Sequence, residues 1–315
     1  MARYLDPKND LTFKRIFGEH PDLLIDFLNA LMLFPAERLI TEIEYLPAEQ
    51  VPDIPGKKNS IVDVKCTAKN KGVFIIEMQM LWTDDFTKRL VFNAGKAYVR
   101  QLEKGESYNF LHPVYTLALL NENFDDKTRE FYHHYQIVNR ENTDEVIEGL
   151  EFVLVELQKF QLESWLERKI ATLWMRFLRE VNEDLSELPD ELANHEQIRK
   201  AAELCEEAGF TPEELAAYEA YWDWVRTEKT IREGSLAKGR AEGRAEVEAK
   251  GRAEGRAERD RLKAKLEAAQ AEKEAAQTNV VINSHRAGLS VETISNITGL
   301  TPQQIIETLK QHGLV

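Results

Sequence analysis

Two carboxylates sit where carboxylates are costly. Asp63 lies in Ile61-Val62-Asp63-Val64-Lys65-Cys66, and Glu77 in Gly72-Val73-Phe74-Ile75-Ile76-Glu77-Met78-Gln79-Met80-Leu81. Both runs have the Val, Ile and Phe content of buried strands, in which an unpaired acid is unfavourable. Lys69-Asn70-Lys71-Gly72 between them reads as a turn. An antiparallel hairpin centred on Asn70 sets Asp63 opposite Glu77 on one face, and Gln79, two residues along, shares that face. Like charges so close require a cation, a shared proton or a strongly raised pKa, and a divalent metal uses all three groups. A register slip of one residue would send the two acids to opposite faces.

Hard carboxylate oxygens suit Mg²⁺, which supports phosphodiester hydrolysis by polarising the phosphate and acidifying an attacking water. A polar group about 6–7 Å further along the strand can orient that water or stabilise developing charge. Gln79 can do the first but carries no positive charge. Lys65, on the same face as Asp63, either donates charge to the site or pairs with Glu77. Arg89, one turn into the next helix, is either a phosphate contact or a solvated helix charge. The structural alternative for the acids is an ion-pair network with Lys65 and Arg89. Other chemistries fail: the seven histidines have no zinc-type spacing, no phosphate-binding glycine loop occurs, and Cys66 falls on the opposite strand face, as a core residue would.

The elements that must position these groups follow from hydrophobic spacing. Asn9 or Asp10 can cap a helix with Leu11, Phe13, Ile16 and Phe17 on one side, ended by Gly18. A second helix spans 21–33 and a strand 39–46, before a loop with Pro47, Pro52 and Pro55. After the hairpin comes a helix over 84–103, capped by Thr83 or Asp84, then strands at 113–120, 131–138 and 152–157. The fold class expected is α/β (α+β): a mixed sheet flanked by helices, followed by an all-α region.

That all-α region begins near Ser164. Thr211-Pro212-Glu213-Glu214 is a strong helix start. Gly239, Gly243, Gly251 and Gly255, each followed by Arg, lie on a four-residue grid, which is either a solvated helical linker or a helix-packing face for homo-oligomers. Ser290 and Thr301-Pro302-Gln303-Gln304 start two short terminal helices, a helix-turn-helix-like unit. With only Lys310 on its second helix, it fits protein interaction better than DNA reading.

Charge distribution matters more than its sum of -14. Residues 141–225 hold 22 acidic and 7 basic residues, whereas residues 1–140 hold 20 and 18. The carboxylate-bearing part is thus close to neutral and compatible with a phosphate-binding face. No apolar run approaches the roughly 18–20 residues that span a bilayer. With two distant cysteines and no apolar leader, the cytoplasm is the expected compartment.

Asn9-Asp10-Leu11-Thr12-Phe13-Lys14-Arg15-Ile16-Phe17-Gly18 resembles the opening of the Rpn-type recombination-promoting nucleases and transposase-like proteins of the PD-(D/E)XK superfamily. Asp63…Glu77-Met78-Gln79-Met80 is similar to their core, with Glu-x-Gln standing for Glu-x-Lys, and 102–115 is similar to the segment after their helix. The resemblance is specific over 1–140. It implies a restriction-endonuclease-like sheet and Mg²⁺-dependent DNA cleavage linked to recombination or transposition. It points to Asp63 and Glu77 as metal ligands and to Gln79 as the third motif position. Asp10 becomes either a further acidic ligand or a helix cap. The domains expected are a nuclease-like domain at 1–160, an acidic helical region at 161–230, the Gly/Arg/Glu/Ala-rich stretch at 231–277 and the terminal unit at 278–315. The competing function is a DNA-binding or assembly protein that keeps the fold with little activity.

Overall fold

The computed structural model describes residues 3–50, 60–69, 72–125, 127–161 and 169–315. The proline loop at 51–59, the turn residues Asn70 and Lys71 and the expected helix start at Ser164 lie outside them. Contacts divide the chain into two units, Met1–Ile231 and Arg232–Val315.

The first unit opens with α1 (Asp10–Glu19) and α2 (Pro21–Leu31), then β1 (Ile43–Tyr45) and a short pair, β2 (Glu49–Gln50) with β3 (Ser60–Ile61). The hairpin β4 (Val64–Ala68) and β5 (Gly72–Gln79) leads through α3 (Phe86–Val99) to β6 (Val114–Leu120), β7 (Tyr132–Val138) and β8 (Val146–Glu156). Helices α4 (Lys169–Glu180), α5 (Asp190–Ala193), α6 (Glu196–Glu203) and the start of α7 (Pro212–Arg286) complete it. The six-stranded sheet has the order β1-β4-β5-β6-β8-β7. β5, β6 and β8 run parallel, and β4 and β7 are antiparallel to their neighbours. The β5-to-β6 connection runs through α3, as parallel neighbours require a crossover.

Apolar side chains on both faces make β5 and β6 central. Phe74, Ile76, Met78, Tyr115, Leu117 and Leu119 join a large core with Phe13, Phe17, Phe27 and Trp174 from α1, α2 and α4. On the other face Ile75 packs with Ala94 and Ala97 of α3, and Ala118 and Leu120 with Phe86 and Leu90. Because α4 and α6 share the first of these cores, the acidic helical region packs against the sheet. Gly72 is required where β5 begins. Its φ is 108°, and an added Cβ would lie 2.2 Å from the Pro113 carbonyl oxygen.

Several boundaries move from the expected ones. The strand expected at 39–46 shrinks to β1 because Ala36–Arg38 forms a 3-10 turn. β8 is longer than expected, since its exposed N-terminal half pairs with β7 and carries no burial signal. α3 stops at Val99, and the Gln101 side chain then bonds the His112 backbone on both sides. Asn9, not Asp10, caps α1, accepting from the Leu11 N–H at 3.0 Å.

The opening motif is held by a buried polar network. Lys8 pairs with Asp6 at 2.8 Å and donates to the Leu178 carbonyl. Tyr218 of α7 accepts from the Asp6 N–H at 2.9 Å and donates to Glu183. Asn9 and Thr12 are buried and hydrogen-bonded beside them.

In the second unit, α8 (Val291–Thr298) and α9 (Pro302–Gln311) pack on the end of α7 around Val281, Ile294, Ile305 and Leu309. Ser290 caps α8, Gly299 closes it in the left-handed conformation, and Thr301 with Gln304 forms a capping box on α9. A Cβ added at Gly239, Gly243, Gly251 or Gly255 would meet nothing within 4 Å.

Candidate active site

The ladder of β4 with β5 pairs Val64 with Ile76 and continues to Ala68 with Gly72. This is the register of a hairpin centred on Asn70, and the ladder stops one residue short of the expected Asp63–Glu77 rung. Asp63 lies in a bend just before β4, and its Oδ2 accepts from the Met78 N–H at 2.6 Å, which ties it across to β5. Glu77 is 5% exposed. Glu77 and Gln79 lie on the sheet face that α3 covers, and α3 supplies Asn93 and Arg89 to them, whereas Asp63 at the bend is acted on by Asp10 and Lys14 of α1.

Glu77 Oε1 accepts from Asn93 Nδ2 at 3.0 Å, and its Oε2 lies 3.7 Å from Arg89 Nη2. The same guanidinium nitrogen donates to Gln79 Oε1, and the guanidinium carbon stands 4.8 Å from the centroid of the Phe86 ring. Gln79 Nε2 donates to the Leu81 carbonyl, so both ends of its amide are used. Asn93, which hydrophobic spacing alone did not single out, is fully buried, and its Oδ1 has no partner among the described residues.

Electrostatics agree with this crowding. Burial, opposed by the Met78 N–H and reinforced by the charges of Glu77 and Asp10, pushes the Asp63 carboxyl up to about 7. Burial also raises Glu77, against the Asn93 hydrogen bond and the Arg89 charge. Asp10 pairs with Lys14 at 2.8 Å, and both are close enough to act on Asp63. Tyr221 of α7 is raised by burial and then by Asp10 and Asp63, which brings a residue from far along the chain to the edge of the site.

Lys65 shares the sheet face but stands elsewhere along it. No ion pair joins it to Asp63 or Glu77 among the described residues, and burial together with the charges of Arg100 and Lys96 lowers its pKa. Cys66 is buried in the opposite core, with its thiol pushed up to about 12 by burial. His133 and His134 pair with Glu156 and Glu151 at 2.8 and 2.7 Å.

Among the described residues no group of three or more His, Cys, Asp or Glu forms a metal cage. Two carboxylates nevertheless suffice for Mg²⁺, which keeps several waters and takes few protein ligands. Carboxylate oxygens such as those of Asp63 and Glu77 are donors of the kind that ion takes.

A mixed six-stranded sheet with helices on both faces, carrying Asp63 and Glu77 at its central hairpin, has the architecture of the restriction-endonuclease-like class of fold. The chain belongs to the PD-(D/E)XK nuclease family transposases, whose family description matches residues 7–231. No curated protein and no solved structure matches it.

Proposed function

We propose that this protein is a Mg²⁺-dependent DNA endonuclease acting in recombination or transposition. The observation that supports the reading is that Asp63 bonds the Met78 N–H next to Glu77, which lies on the face beneath α3, and that the Glu77 charge acts on Asp63. Asp63 and Glu77 would hold the ion, with Asp10 as a further acidic group at the rim. When bound, Mg²⁺ polarises the phosphate and lowers the pKa of a water. The protein's own part is to hold the acids in place. Met78 fixes Asp63, Asn93 fixes one oxygen of Glu77, and α3 covers the face from solvent. Lys65, facing Lys96 and Arg100, contributes positive potential along the sheet for a phosphate backbone and not charge at the acids.

Supercoiled plasmid nicking by the full chain tests this. Cleavage in Mg²⁺, its loss in EDTA, and its loss in Asp63→Ala and Glu77→Ala are expected. Cleavage that survives both substitutions removes the site.

The second reading, a DNA-binding or assembly protein that keeps the fold, is favoured by the uncharged Gln79 at the third position. Retained DNA binding with no cleavage under any divalent metal would support it. For the glycine-rich stretch of α7, deletion of 236–277 should lower the mass measured by light scattering if it packs copies together, and an unchanged mass makes it a linker. No helix among the described residues is long and apolar enough to cross a membrane.

A further inference from the structure

The family designation places a lysine two residues after the second acid, and this chain has Gln79 there. A neutral amide cannot stabilise the negative charge that builds up on a phosphate under attack. We propose that Arg89, tethered by Gln79, supplies that charge, so that a glutamine and an arginine together do what one lysine would. The inference rests on the nuclease reading above and names who carries its cationic role.

Three observations converge on Arg89. Its Nη2 donates to Gln79 Oε1 and lies 3.7 Å from Glu77 Oε2, so the guanidinium spans the second and third motif positions. Among the described residues it is the cation that both of these side chains touch. The guanidinium also lies over the Phe86 ring, which restricts its swing. Finally, the Gln79 amide is itself fixed, because Nε2 is committed to the Leu81 carbonyl and leaves Oε1 facing Arg89.

The chemistry asks for such a group. Water oxygen forms a bond to phosphorus and loses a proton to solvent. The bond from phosphorus to the leaving sugar oxygen breaks with its electron pair, and that oxygen then takes a proton. Charge rises on the non-bridging oxygens between these events. Arg89 is 45% exposed at its side chain, and its guanidinium has donors beyond the one that holds Gln79 to offer an incoming phosphate. The 3.7 Å contact with Glu77 is loose and yields to a divalent cation without breaking the Gln79 tether. Sequence spacing could suggest a phosphate contact for Arg89. The tether makes it part of the motif.

Rescue is the test. Steady-state plasmid cleavage in Mg²⁺ is measured for the full-length protein, Arg89→Ala, Arg89→Lys, Gln79→Lys, the double variant Gln79→Lys with Arg89→Ala, and Asp63→Asn. Arg89→Ala should lose about 100-fold in kcat with KM changed by no more than about 3-fold. The double variant should recover at least about 10-fold over Arg89→Ala, because the lysine returns the charge to the strand. Arg89→Lys should fall between, since an ammonium cannot hold Gln79 and a phosphate in one plane. An Arg89→Ala protein with full kcat, a change confined to KM, or a double variant no better than Arg89→Ala overturns the inference while leaving the nuclease reading intact. Wild-type protein that cleaves no faster than Asp63→Asn overturns the nuclease reading, and this inference with it.

Discussion

Asn93 Nδ2 donates to Glu77 Oε1 at 3.0 Å with both side chains buried, and the other end of the Asn93 amide has no partner among the described residues. A buried carboxylate needs donors to stay ionised, and α3 sends this one as well as the Arg89 guanidinium. The bond leaves Oε2 to face Arg89.

Asn93→Leu keeps the shape of the side chain and removes the donor. We expect a loss of about 1–3 kcal/mol in urea unfolding, the cost of an unsatisfied buried acceptor. Mn²⁺ binding by calorimetry should weaken by about 10- to 100-fold, as when the outer partner of a metal ligand is removed. Unchanged Mn²⁺ affinity would make Asn93 a packing residue only.

Asp63 gives a pH signature. Its folded value is held up to about 7, chiefly by burial, against an unfolded value of about 4. The folded state therefore holds the proton more tightly. The stability this contributes is complete below about pH 4 and is lost as pH rises through about 7. Asp63→Asn, which cannot ionise, should match the wild type at pH 4 and exceed it by about 1–3 kcal/mol at pH 8 without metal. Urea midpoints at the two pH values measure this, and a constant difference would contradict the burial of Asp63.

Gly72→Ala tests the hairpin. The positive φ and the Pro113 carbonyl at 2.2 Å leave no room for a Cβ, so β5 must move relative to the β6 entry. We expect a loss of at least about 2–3 kcal/mol in denaturant unfolding. A change below about 0.5 kcal/mol, the range of a neutral surface substitution, would show that the turn adjusts freely.

Tyr218→Phe tests the network behind α1. It leaves the buried Asp6 N–H without its acceptor and Glu183 without its donor. A loss of about 1–3 kcal/mol is expected in urea unfolding. A wild-type midpoint would mean that the network rearranges around the missing hydroxyl.

What could be read in advance divides along physical lines. The hairpin and its register were legible, because two acids inside apolar runs and a turn cluster between them admit few arrangements. The observed pairing of Val64 with Ile76 is the one those residues demand. The partners of the acids were not legible. Asn93 reaches Glu77 only because α3 packs back across the sheet, and Tyr221 reaches the rim from a helix that begins at Pro212. Spacing along the chain carries no record of such returns. Lys65 shows the opposite failure: alternation placed it on the correct face, but a face is long, and its neighbours there are Lys96 and Arg100. Asp6 and Lys8 just before the opening motif, and Asn9 and Thr12 within it, spend their hydrogen bonds on holding α1, and Asp10 and Lys14 remain to act on Asp63.

Calorimetric titration of the metal-free protein with Mn²⁺ at pH 8 tests most directly whether Asp63 and Glu77 form one cation site. The account requires a saturable site in the wild type that disappears in Asp63→Asn and again in Glu77→Gln, with each variant still folded. Binding retained in both variants would contradict it.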